Sequence, residues 1–394
     1  MKSIQESIKT PVTRECDVAV VGGGIAGIAA ALAAARRGAS VLLLERYYTL
    51  GGLATSGLVT IYLPLCDGLG EQVSFGIAEE LLKLSIIHGE EGRYPLPECW
   101  RGEGTKEERA KNRYKLSYNP WLFAIDAEKL LLDEGVKILY GATVVATDLV
   151  GDRIEHLVIE GKGGREAIKV NQCVVDCSGD CDVAYQAGAP TAEFSYGNKL
   201  AAWYYFRDAK NAFALTMLGV CDDMTKAEID LTNKRYRALG TEELSDMMID
   251  SHASTHADIM KRRQTDGEIY PTAISSIPQV RMTRRIVGEY TMSDTEIRKR
   301  FDDSVGAFSD WRKSGPAYEL PFSTLYSKSV KNLLVAGRCI SVDNDMWDIT
   351  RVIPVCAVSG EAAGTAAAMC RDITELDLKE LQASLVEKGA KIHI

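Results

Sequence analysis

The chain has 394 residues, 46% of them apolar and 26% charged, and its formal net charge is −9. This length suffices for a large core and two domains, and the acidic balance argues against binding to nucleic acid or to an anionic membrane. Residues 1–17 lack the apolar run of a signal peptide, and no apolar stretch is long enough to span a membrane. We therefore expect a cytoplasmic protein.

The first predicted elements are a strand, a glycine turn and a helix. Residues 17–22 form the short apolar run of a buried parallel strand, and from Ile25 apolar residues recur at helical spacing. Between them, Gly22, Gly24 and Gly27 stand at G-x-G-x-x-G spacing. The first glycine permits the tight turn, the second lets a diphosphate approach the backbone, and the third lets the helix pack close to the strand. The N–H groups at the helix N-terminus then face the phosphates.

The next predicted strand, residues 40–44, ends at an acidic residue. The carboxylate of Glu45 would accept hydrogen bonds from ribose hydroxyls and repel a 2′-phosphate, which argues against NADP. A glycine-rich turn in an ordinary α/β unit is the alternative interpretation. However, the strand, helix, second strand and acidic residue all stand where the motif requires them, so we predict a dinucleotide site.

The middle of the chain predicts helices, a surface excursion and a β-meander. Residues 76–88 and 126–133 have helical character, whereas residues 89–120 are polar and rich in glycine, proline and charge, as expected of a surface excursion or lid. Strands separated by glycine turns follow at residues 136–140, 142–150, 153–160 and 166–170. The last three strands predict a meander.

Residues 172–190 predict a buried strand, a Ser-Gly-Asp turn and a short helix. Three cysteines in this segment are spaced four residues apart, namely Cys173, Cys177 and Cys181. This is not a usual ligand spacing, and a chain without a secretory signal is expected to keep its thiols reduced. His252 and His256 are one helical turn apart but lack a third ligand, so we predict no metal site.

Residues 191–325 are richer in aromatic residues and methionine, with a charged helix over 241–263, and predict a separate domain. Residues 332–370 return to α/β character with a strand and a long helix. We therefore predict an α/β fold: a discontinuous Rossmann-like cofactor domain, with a central parallel sheet plus the β-meander, and an inserted α+β substrate or cap domain. The cofactor domain comprises residues 1–60, 121–190 and 326–394, and the cap domain residues 61–120 and 191–325.

The last long helix begins beside a cation. Pro354 suits its first turn, and small residues along one side permit close approach to a sheet or to a flat ligand. Arg351 and the positive helix end would together stabilise negative charge, such as that on the pyrimidine edge of a reduced flavin. An alanine-rich core helix is the alternative interpretation.

Five motifs in this order resemble one known family: VVGGGIAGIAAALAAARRGASVLLLER (20–46), GGLATSG (51–57), VVDCSGDCDVAYQAGA (174–189), NLLVAGRCIS (332–341) and RVIPVCAVSGEAAGTAAA (351–368). The combination is similar to the FAD-dependent oxidoreductases of the fumarate-reductase and thiazole-synthase type. The resemblance extends over nearly the whole chain. It implies a Rossmann-like FAD-binding fold and says little about the substrate.

The resemblance also implies which residues bind FAD. The glycine turn would hold the diphosphate, Glu45 the adenosine ribose, and either Val144 or Val145 the adenine through backbone groups. The full implied set is Gly22, Gly24, Ile25, Ala26, Gly27, Glu45, Arg46, Gly51, Gly52, Ala54, Thr55, Val144, Val145, Ser178, Gly179, Asp180, Gly337, Arg338, Arg351, Ile353 and Pro354.

The sequence departs from the family pattern in two places. Ser178 stands where the family usually has threonine. Residues 279–290 are similar to a stretch that usually contains Arg-Glu-Ser-Arg-Arg, but Met282 and Thr283 replace Glu and Ser, so a family carboxylate is lost. The sequence has no second G-x-G-x-x-G for NAD(P)H.

With FAD bound, the expected reaction is hydride transfer between a small organic substrate and flavin N5. Arg281, Arg284 and Arg285 form a dense cationic group that suits a carboxylate substrate, with ion pairing at a surface or between domains as the alternative. We expect Arg281, Arg285 and Arg351 to be catalytic. Tyr62 is our candidate for a proton donor near the ring, and core packing is its alternative role.

Two further function classes are kept open. One is a flavoprotein with a non-redox or RNA-modifying role, although the acidic charge weighs against RNA. The other is an FAD-binding module that has lost its catalytic activity. The expected partners are a small-molecule substrate and an electron donor or acceptor, and formation of a homo-oligomer is left open.

Overall fold

The computed structural model describes residues 4–90, 93–219 and 234–394, and the elements below belong to these ranges. The helices are α1 Ile25–Arg36, α2 Ile77–Leu84, α3 Lys106–Lys111, α4 Pro120–Asp133, α5 Asp182–Gln186, α6 Thr241–Thr265, α7 Asn344–Thr350, α8 Ile353–Ala367 and α9 Leu378–Glu387. The strands are β1 Val12–Val21, β2 Val41–Glu45, β3 Ile61–Tyr62, β4 Leu116–Ser117, β5 Lys137–Tyr140, β6 Thr143–Val150, β7 Arg153–Gly161, β8 Gly164–Asp176, β9 Thr191–Glu193, β10 Ala202–Arg207, β11 Phe213–Leu218, β12 Tyr270–Ile274, β13 Arg284–Ile286, β14 Ser304–Ser309, β15 Ala317–Pro321 and β16 Leu333–Val335. Short 3₁₀ turns lie at Gly52–Ala54, Glu98–Trp100, Phe322–Thr324, Gly337–Cys339 and Ile373–Glu375.

A seven-stranded sheet forms the centre of the fold, in the order β5-β2-β1-β8-β7-β6, with β16 also paired with β8. The strands β5, β2, β1, β8 and β16 pair in parallel, and α1 connects β1 to β2 as in a Rossmann unit. All five residues of β2 are buried, as expected of a strand covered on both faces. The predicted α/β fold is confirmed, and the carboxyl ends of β1, β2, β8 and β16 share one edge of the sheet.

The long strand β8 belongs to two parts of this sheet. Its first half pairs antiparallel with β7, which continues to β6 and forms the predicted meander. Its second half pairs in parallel with β16, with Val174 opposite Leu333. The sequence predicted two strands here, over 166–170 and 172–177. The structure has one continuous strand, because a bulge in the pairing with β1, between Cys16 and Val18, accommodates the irregularity.

Helices α1 and α8 pack closely against each other. A Cβ atom at Gly360 would collide with the carbonyl oxygen of Ala26, and one at Gly364 with that of Ala30. Every residue of α8 is buried. The small residues on α8 therefore allow close approach to helix α1 as well as to the neighbouring strands β8 and β14, whereas approach to a flat ligand stays a prediction.

One carboxyl group is buried in this packing. Glu361 of α8 is 4% exposed, and its Oε2 accepts a hydrogen bond of 3.0 Å from the backbone amide of Ile77. Burial raises the pKa of Glu361 to about 7, and the nearby Glu80 acts in the same direction whereas Arg36 opposes it. Folding therefore raises the pKa of Glu361 above its ordinary value of 4.5, so the folded protein binds this proton more tightly than the unfolded chain does.

Substituting Glu361→Gln is expected to stabilise the protein at pH 8. The folded protein binds more protons than the unfolded chain between the two pKa values, so the charge of Glu361 makes the free energy of unfolding fall as the pH rises through this window. At about 1.4 kcal/mol per pKa unit, removing this charge should contribute about 3 kcal/mol at pH 8 and about 1 kcal/mol at pH 5. Urea unfolding at both pH values tests this, and an equal effect at pH 5 and pH 8 would contradict it.

The remaining elements lie outside the central sheet. Strands β11, β10 and β12 form a three-stranded sheet, and β3–β4, β9–β13 and β14–β15 pair as two-stranded sheets. Helix α6 agrees with the helix predicted over 241–263, and both of its histidines are exposed. The predicted excursion at 89–120 contains α3, β4 and a stacked Trp100–Tyr114 pair with centroids 4.8 Å apart. Where the described chain divides into domains stays a prediction.

Helix α7 lies between the strand and the long helix that the sequence predicts for residues 332–370, where no helix was predicted. Its N-cap is Asp343, whose side chain accepts a hydrogen bond of 2.8 Å from the amide of Met346. In the part of the chain that the structure describes, none of the helices combines the length and apolar character needed to cross a membrane.

Candidate active site

A cavity of about 280 Å³ lies at the sheet edge where β1, β2 and β8 end. Segments from both ends of the chain line it together, as the prediction of a discontinuous cofactor site requires. The predicted cofactor residues in its lining are Gly22, Gly24, Ile25, Ala26, Glu45, Arg46, Gly51, Gly52, Ala54, Val144, Ser178, Gly179, Asp180, Gly337, Arg338, Arg351 and Ile353.

Four predicted cofactor residues are not in this lining: Gly27, Thr55, Val145 and Pro354. Gly27 faces the preceding turn, and the hydroxyl of Thr55 donates to the carbonyl of Leu50. Val145 is half-buried, and Pro354 is buried in the first turn of α8. The structure therefore does not bring these four residues into the cavity lining, and their direct contact with FAD stays a prediction.

In the glycine turn after β1, the backbone is exposed to the cavity without covering side chains. Gly22 has φ +102°, a conformation that favours glycine, and a Cβ there would collide with the carbonyl of Cys177. Gly24 lines the cavity, and a Cβ there would meet no atom within 4 Å. Helix α1 starts directly after Gly24 without a side-chain cap, so its first N–H groups are available to an anion. These features fit the diphosphate of FAD.

The carboxylate of Glu45 is held at the end of β2. Its Oε2 accepts from the amide of Gly23 and its Oε1 from that of Tyr47, both at 2.7 Å. The side chain is 5% exposed and lines the cavity. Each carboxylate oxygen has a further lone pair, so the arrangement is compatible with the predicted contact to the adenosine ribose.

An ion pair in the cavity lining joins Arg338 to the Ser178–Gly179–Asp180 turn. Nη2 of Arg338 lies 3.1 Å from Oδ1 of Asp180, and Nη1 of Arg338 donates to the carbonyl of Val280. Gly179 has φ +82°, and its absent side chain leaves room for the arginine. Arg338 therefore ties this turn to the segment 277–281, which covers the cavity from the other side.

Arg351 ends α7 and stands immediately before α8, where Val352 is the N-cap. Its side chain is 8% exposed, and its guanidinium pairs with Asp348, with Nε at 3.0 Å from Oδ1. Arg351 and Ile353 line the cavity, so the cation and the helix N-terminus meet there as predicted from the sequence.

The three arginines at 281–285 are separated by the structure. Arg281 is 6% exposed, lines the cavity and lies 5.1 Å from the ring centroid of Trp203. Arg284 pairs with Asp182 at 2.8 Å. Arg285 is outside the cavity lining, since its Nη1 donates to the carbonyl of Ile286 and its guanidinium faces the ring of Trp347. The prediction of a catalytic Arg285 is therefore not supported by its position.

Tyr62 is placed in the core rather than in the cavity. Its side chain is fully buried, and its hydroxyl donates a hydrogen bond of 2.5 Å to the carbonyl of Ala78. Burial also raises its pKa well above the ordinary value. The prediction of a proton donor is corrected, because core packing with a locally satisfied hydroxyl describes Tyr62.

The sequence analysis missed an apolar wall of the cavity. Its side chains come from two separate stretches of the chain: Leu53, Val59, Ile61 and Leu63 from one, and Ala238, Leu244, Ile277, Pro278 and Val280 from the other. No single periodic pattern contains these residues, because they converge only through the fold.

Two thiols also line the cavity. Cys177 and Cys356 are both buried, and burial raises the pKa of Cys356 to about 12, so it remains protonated at neutral pH. Among the described residues, no group of three or more histidine, cysteine or acidic side chains could hold a metal ion.

Comparison with known proteins agrees with these observations. A model of the family described as FAD dependent oxidoreductase matches residues 17–202 and 223–385. The probable electron transfer flavoprotein-quinone oxidoreductase YgcN of Escherichia coli strain K12 is 36% identical over 242 residues, which cover 57% of this chain and 54% of that protein. The chain therefore spans about half the length of this curated relative.

Two solved structures are similar at low sequence identity. A geranylgeranyl bacteriochlorophyll reductase-like protein of Thermoplasma acidophilum has a TM-score of 0.49 at 14% identity, over 96% of this chain and 85% of that one. A 3-ketosteroid-Δ4-(5α)-dehydrogenase of Rhodococcus jostii has a TM-score of 0.42 at 14% identity, over 91% and 98%.

Proposed function

Since this chain belongs to the family of FAD-dependent oxidoreductases and uses FAD as its cofactor, we propose that it transfers a hydride between a small organic carboxylate and flavin N5. Arg281 is the observation that carries this proposal. This residue is 6% exposed and lines the same cavity as the residues proposed to hold FAD. A buried arginine is well suited to recognise a carboxylate through two parallel hydrogen bonds.

The roles of the chain's own residues follow from the cavity. FAD, when bound, supplies the electron chemistry at N5. Gly22 and Gly24 present backbone toward the diphosphate, and Glu45 orients the adenosine. Arg281 binds the substrate carboxylate, while the apolar wall excludes water and packs against an apolar part of the substrate. Arg351 places positive charge where the flavin ring is proposed to lie.

The proposal is tested with the purified protein and its visible spectrum. We expect a yellow protein whose flavin absorbance is bleached under anaerobic conditions by at least one member of a panel of small carboxylic acids. The methyl esters of the same acids form the matched comparison. Bleaching by no carboxylic acid would contradict the proposed reaction, and an FAD-bound protein inert to every reductant would favour a non-redox role.

Substituting Arg281→Met is expected to raise KM for the carboxylate substrate about 10- to 100-fold, because a charge-assisted hydrogen bond contributes about 1.5–3 kcal/mol. FAD binding should persist, since the proposed contacts to the cofactor lie elsewhere in the cavity. Stopped-flow reduction as a function of substrate concentration measures this effect.

Arg285→Met is the matched control for this experiment. It removes the same charge four residues along the chain but outside the cavity lining, so KM should stay within about twofold. Equal effects of the two substitutions would contradict the role of Arg281.

The electron partner is proposed to be a separate molecule. The name of the E. coli relative associates that protein with an electron transfer flavoprotein and a quinone. By analogy, we propose that the present chain exchanges electrons with a partner other than NAD(P)H. Mixing the substrate-reduced protein with a water-soluble quinone should restore the oxidised spectrum faster than mixing it with NAD⁺ does, and the reverse order would contradict the proposal.

A further inference from the structure

A row of buried, alternating charges ends at the cavity: Asp310, Arg312, Asp348 and Arg351. Their side chains are between 0% and 8% exposed. The row begins in the segment after β14, passes through the last turn of α7 and ends beside α8. It therefore connects a loop outside the cofactor cavity to the cation proposed to lie beside the flavin.

The contacts along this row differ in kind. Arg312 donates two parallel hydrogen bonds to the carboxylate of Asp310, both of 3.0 Å. Arg351 donates from Nε and Nη2 to one oxygen of Asp348, Oδ1. The other oxygen, Oδ2, lies 3.7 Å from Nη1 of Arg312, and in the described part of the chain neither of these two atoms makes a hydrogen bond. The carboxylate of Asp348 thus lies between two arginines, and among the described residues its hydrogen bonds come from Arg351.

A tryptophan fixes the geometry at the same point. The indole Nε1 of Trp311 donates to the backbone carbonyl of Asp348 at 2.9 Å. The ring of Trp311 also lies 5.8 Å from the guanidinium carbon of Arg351. Arg113 donates to the carbonyls of Trp311 and Asp310, both at 2.8 Å, which holds the loop in place. The guanidinium of Arg351 is therefore held from two directions.

Electrostatic interactions are strong in such a water-poor setting. Asp348 offsets part of the positive charge of Arg351, whereas Arg312 draws the carboxylate in the opposite direction. The effective charge at the cavity edge therefore depends on residues that are not in its lining.

We propose that Asp348 and Arg312 are positioning residues that set the place and the effective charge of Arg351 beside the flavin. Asp348 lowers the positive charge that the flavin experiences, and Arg312 raises it by competing for Asp348. This inference rests on the proposed function, because that function places Arg351 at the flavin ring. A purely structural role of the row would affect stability alone.

Sulfite binding to the oxidised flavin tests the proposal, because sulfite adds negative charge at the ring and binds more tightly when positive charge is nearby. Asp348→Asn keeps an acceptor for Arg351 but removes the carboxylate charge, and should tighten sulfite binding about tenfold, a difference of about 1.4 kcal/mol. Arg312→Gln removes the positive charge that competes with Arg351 for the carboxylate of Asp348. Asp348 then offsets more of the charge of Arg351, and sulfite binding should weaken severalfold. This substitution gives a second measurement, of opposite sign, if Asp348→Asn does not fold.

A double substitution shows whether Asp348 acts through Arg351. Arg351→Met should weaken sulfite binding by itself, and adding Asp348→Asn to it should cause no further change. Glu319→Gln is the matched control, since Glu319 is also a buried carboxylate, 3% exposed, but lies outside the cavity lining. It should leave sulfite binding unchanged.

The outcomes separate the two proposals. If Asp348→Asn binds FAD and sulfite as the unmodified protein does, or shifts sulfite affinity equally with and without Arg351, the positioning role is overturned. If Arg351→Met leaves sulfite binding unchanged, Arg351 is not beside the flavin, and this part of the proposed function fails with it. If the unmodified protein shows no flavin spectrum with added FAD, the proposed function itself is contradicted.

Discussion

Replacing Gly24 with alanine is expected to weaken FAD binding about 10- to 100-fold while leaving the FAD-free protein as stable as before. Gly24 has φ −70° and ψ −177°, which alanine adopts without strain. A Cβ at this position meets no atom within 4 Å, and the residue lines the cavity. The added methyl group would therefore occupy space reserved for the diphosphate and displace hydrogen bonds worth about 1.5–3 kcal/mol for a charged acceptor.

Two measurements separate binding from folding in this experiment. Fluorescence titration of FAD-free protein gives the FAD affinity, and a thermal melt without FAD gives the stability. Gly163→Ala is the matched control, since a Cβ at this exposed turn also meets no atom within 4 Å but lies far from the cavity lining. Unchanged FAD affinity in Gly24→Ala would mean that the diphosphate does not pass this residue.

Gly27→Ala should lower the stability of the protein both with and without FAD, whereas Gly24→Ala should leave the stability of the FAD-free protein unchanged. A Cβ at Gly27 would collide with the carbonyl oxygen of Gly22 and lie 3.4 Å from the Cβ of Cys177. The turn has little freedom to yield, because Gly22 is held at φ +102° and its amide donates to the carbonyl of Leu44 at 2.8 Å. Overpacking of this kind costs about 3 kcal/mol.

Denaturant unfolding measures the effect of Gly27→Ala. The unfolding midpoint of the FAD-free protein should fall, and the FAD-loaded protein should lose a similar free energy. An unchanged midpoint would show that α1 can move away from the β1 turn. Together with Gly24→Ala, this substitution distinguishes the glycine that faces the cofactor from the one that permits helix packing.

Local patterns predicted the parts of the fold that depend on neighbours in the sequence. Residues 17–46 form the expected strand, turn, helix and strand, because the apolar runs of the two buried strands and the glycine spacing between them are visible within this short stretch of sequence. Helix α7 was missed although Asp343 is a favourable N-cap residue, since only seven residues separate this cap from the next helix signal at Arg351. The break predicted in β8 was wrong because β8 continues through a bulge, with one extra residue between Val170 and Cys173 opposite Cys16 and Val18 of β1.

In the candidate site, too, the features that depend on neighbours in the sequence were predicted and the others were not. The backbone turns that line the cavity were predicted because their glycines have requirements that are visible locally. The side chains were harder to place: Arg281 and Arg285 are four residues apart, yet only Arg281 reaches the cavity. Arg285 belongs to β13, whose pairing with β9 sets the direction of its side chain. Tyr62 was misassigned for the same reason, as its environment is created by α2, a distant element in the core.

The contact between α1 and α8 has a consequence for biosynthesis. At about 5–20 residues per second, a ribosome needs tens of seconds to proceed from the end of α1 to the start of α8. During this interval the face of α1 that α8 later covers has no such partner, and the part of the cavity lining that α8 supplies has not been made. We therefore expect capture of the cofactor only after α8 has emerged, so a nascent chain stalled before Ile353 should not show the change in flavin fluorescence that the finished protein produces.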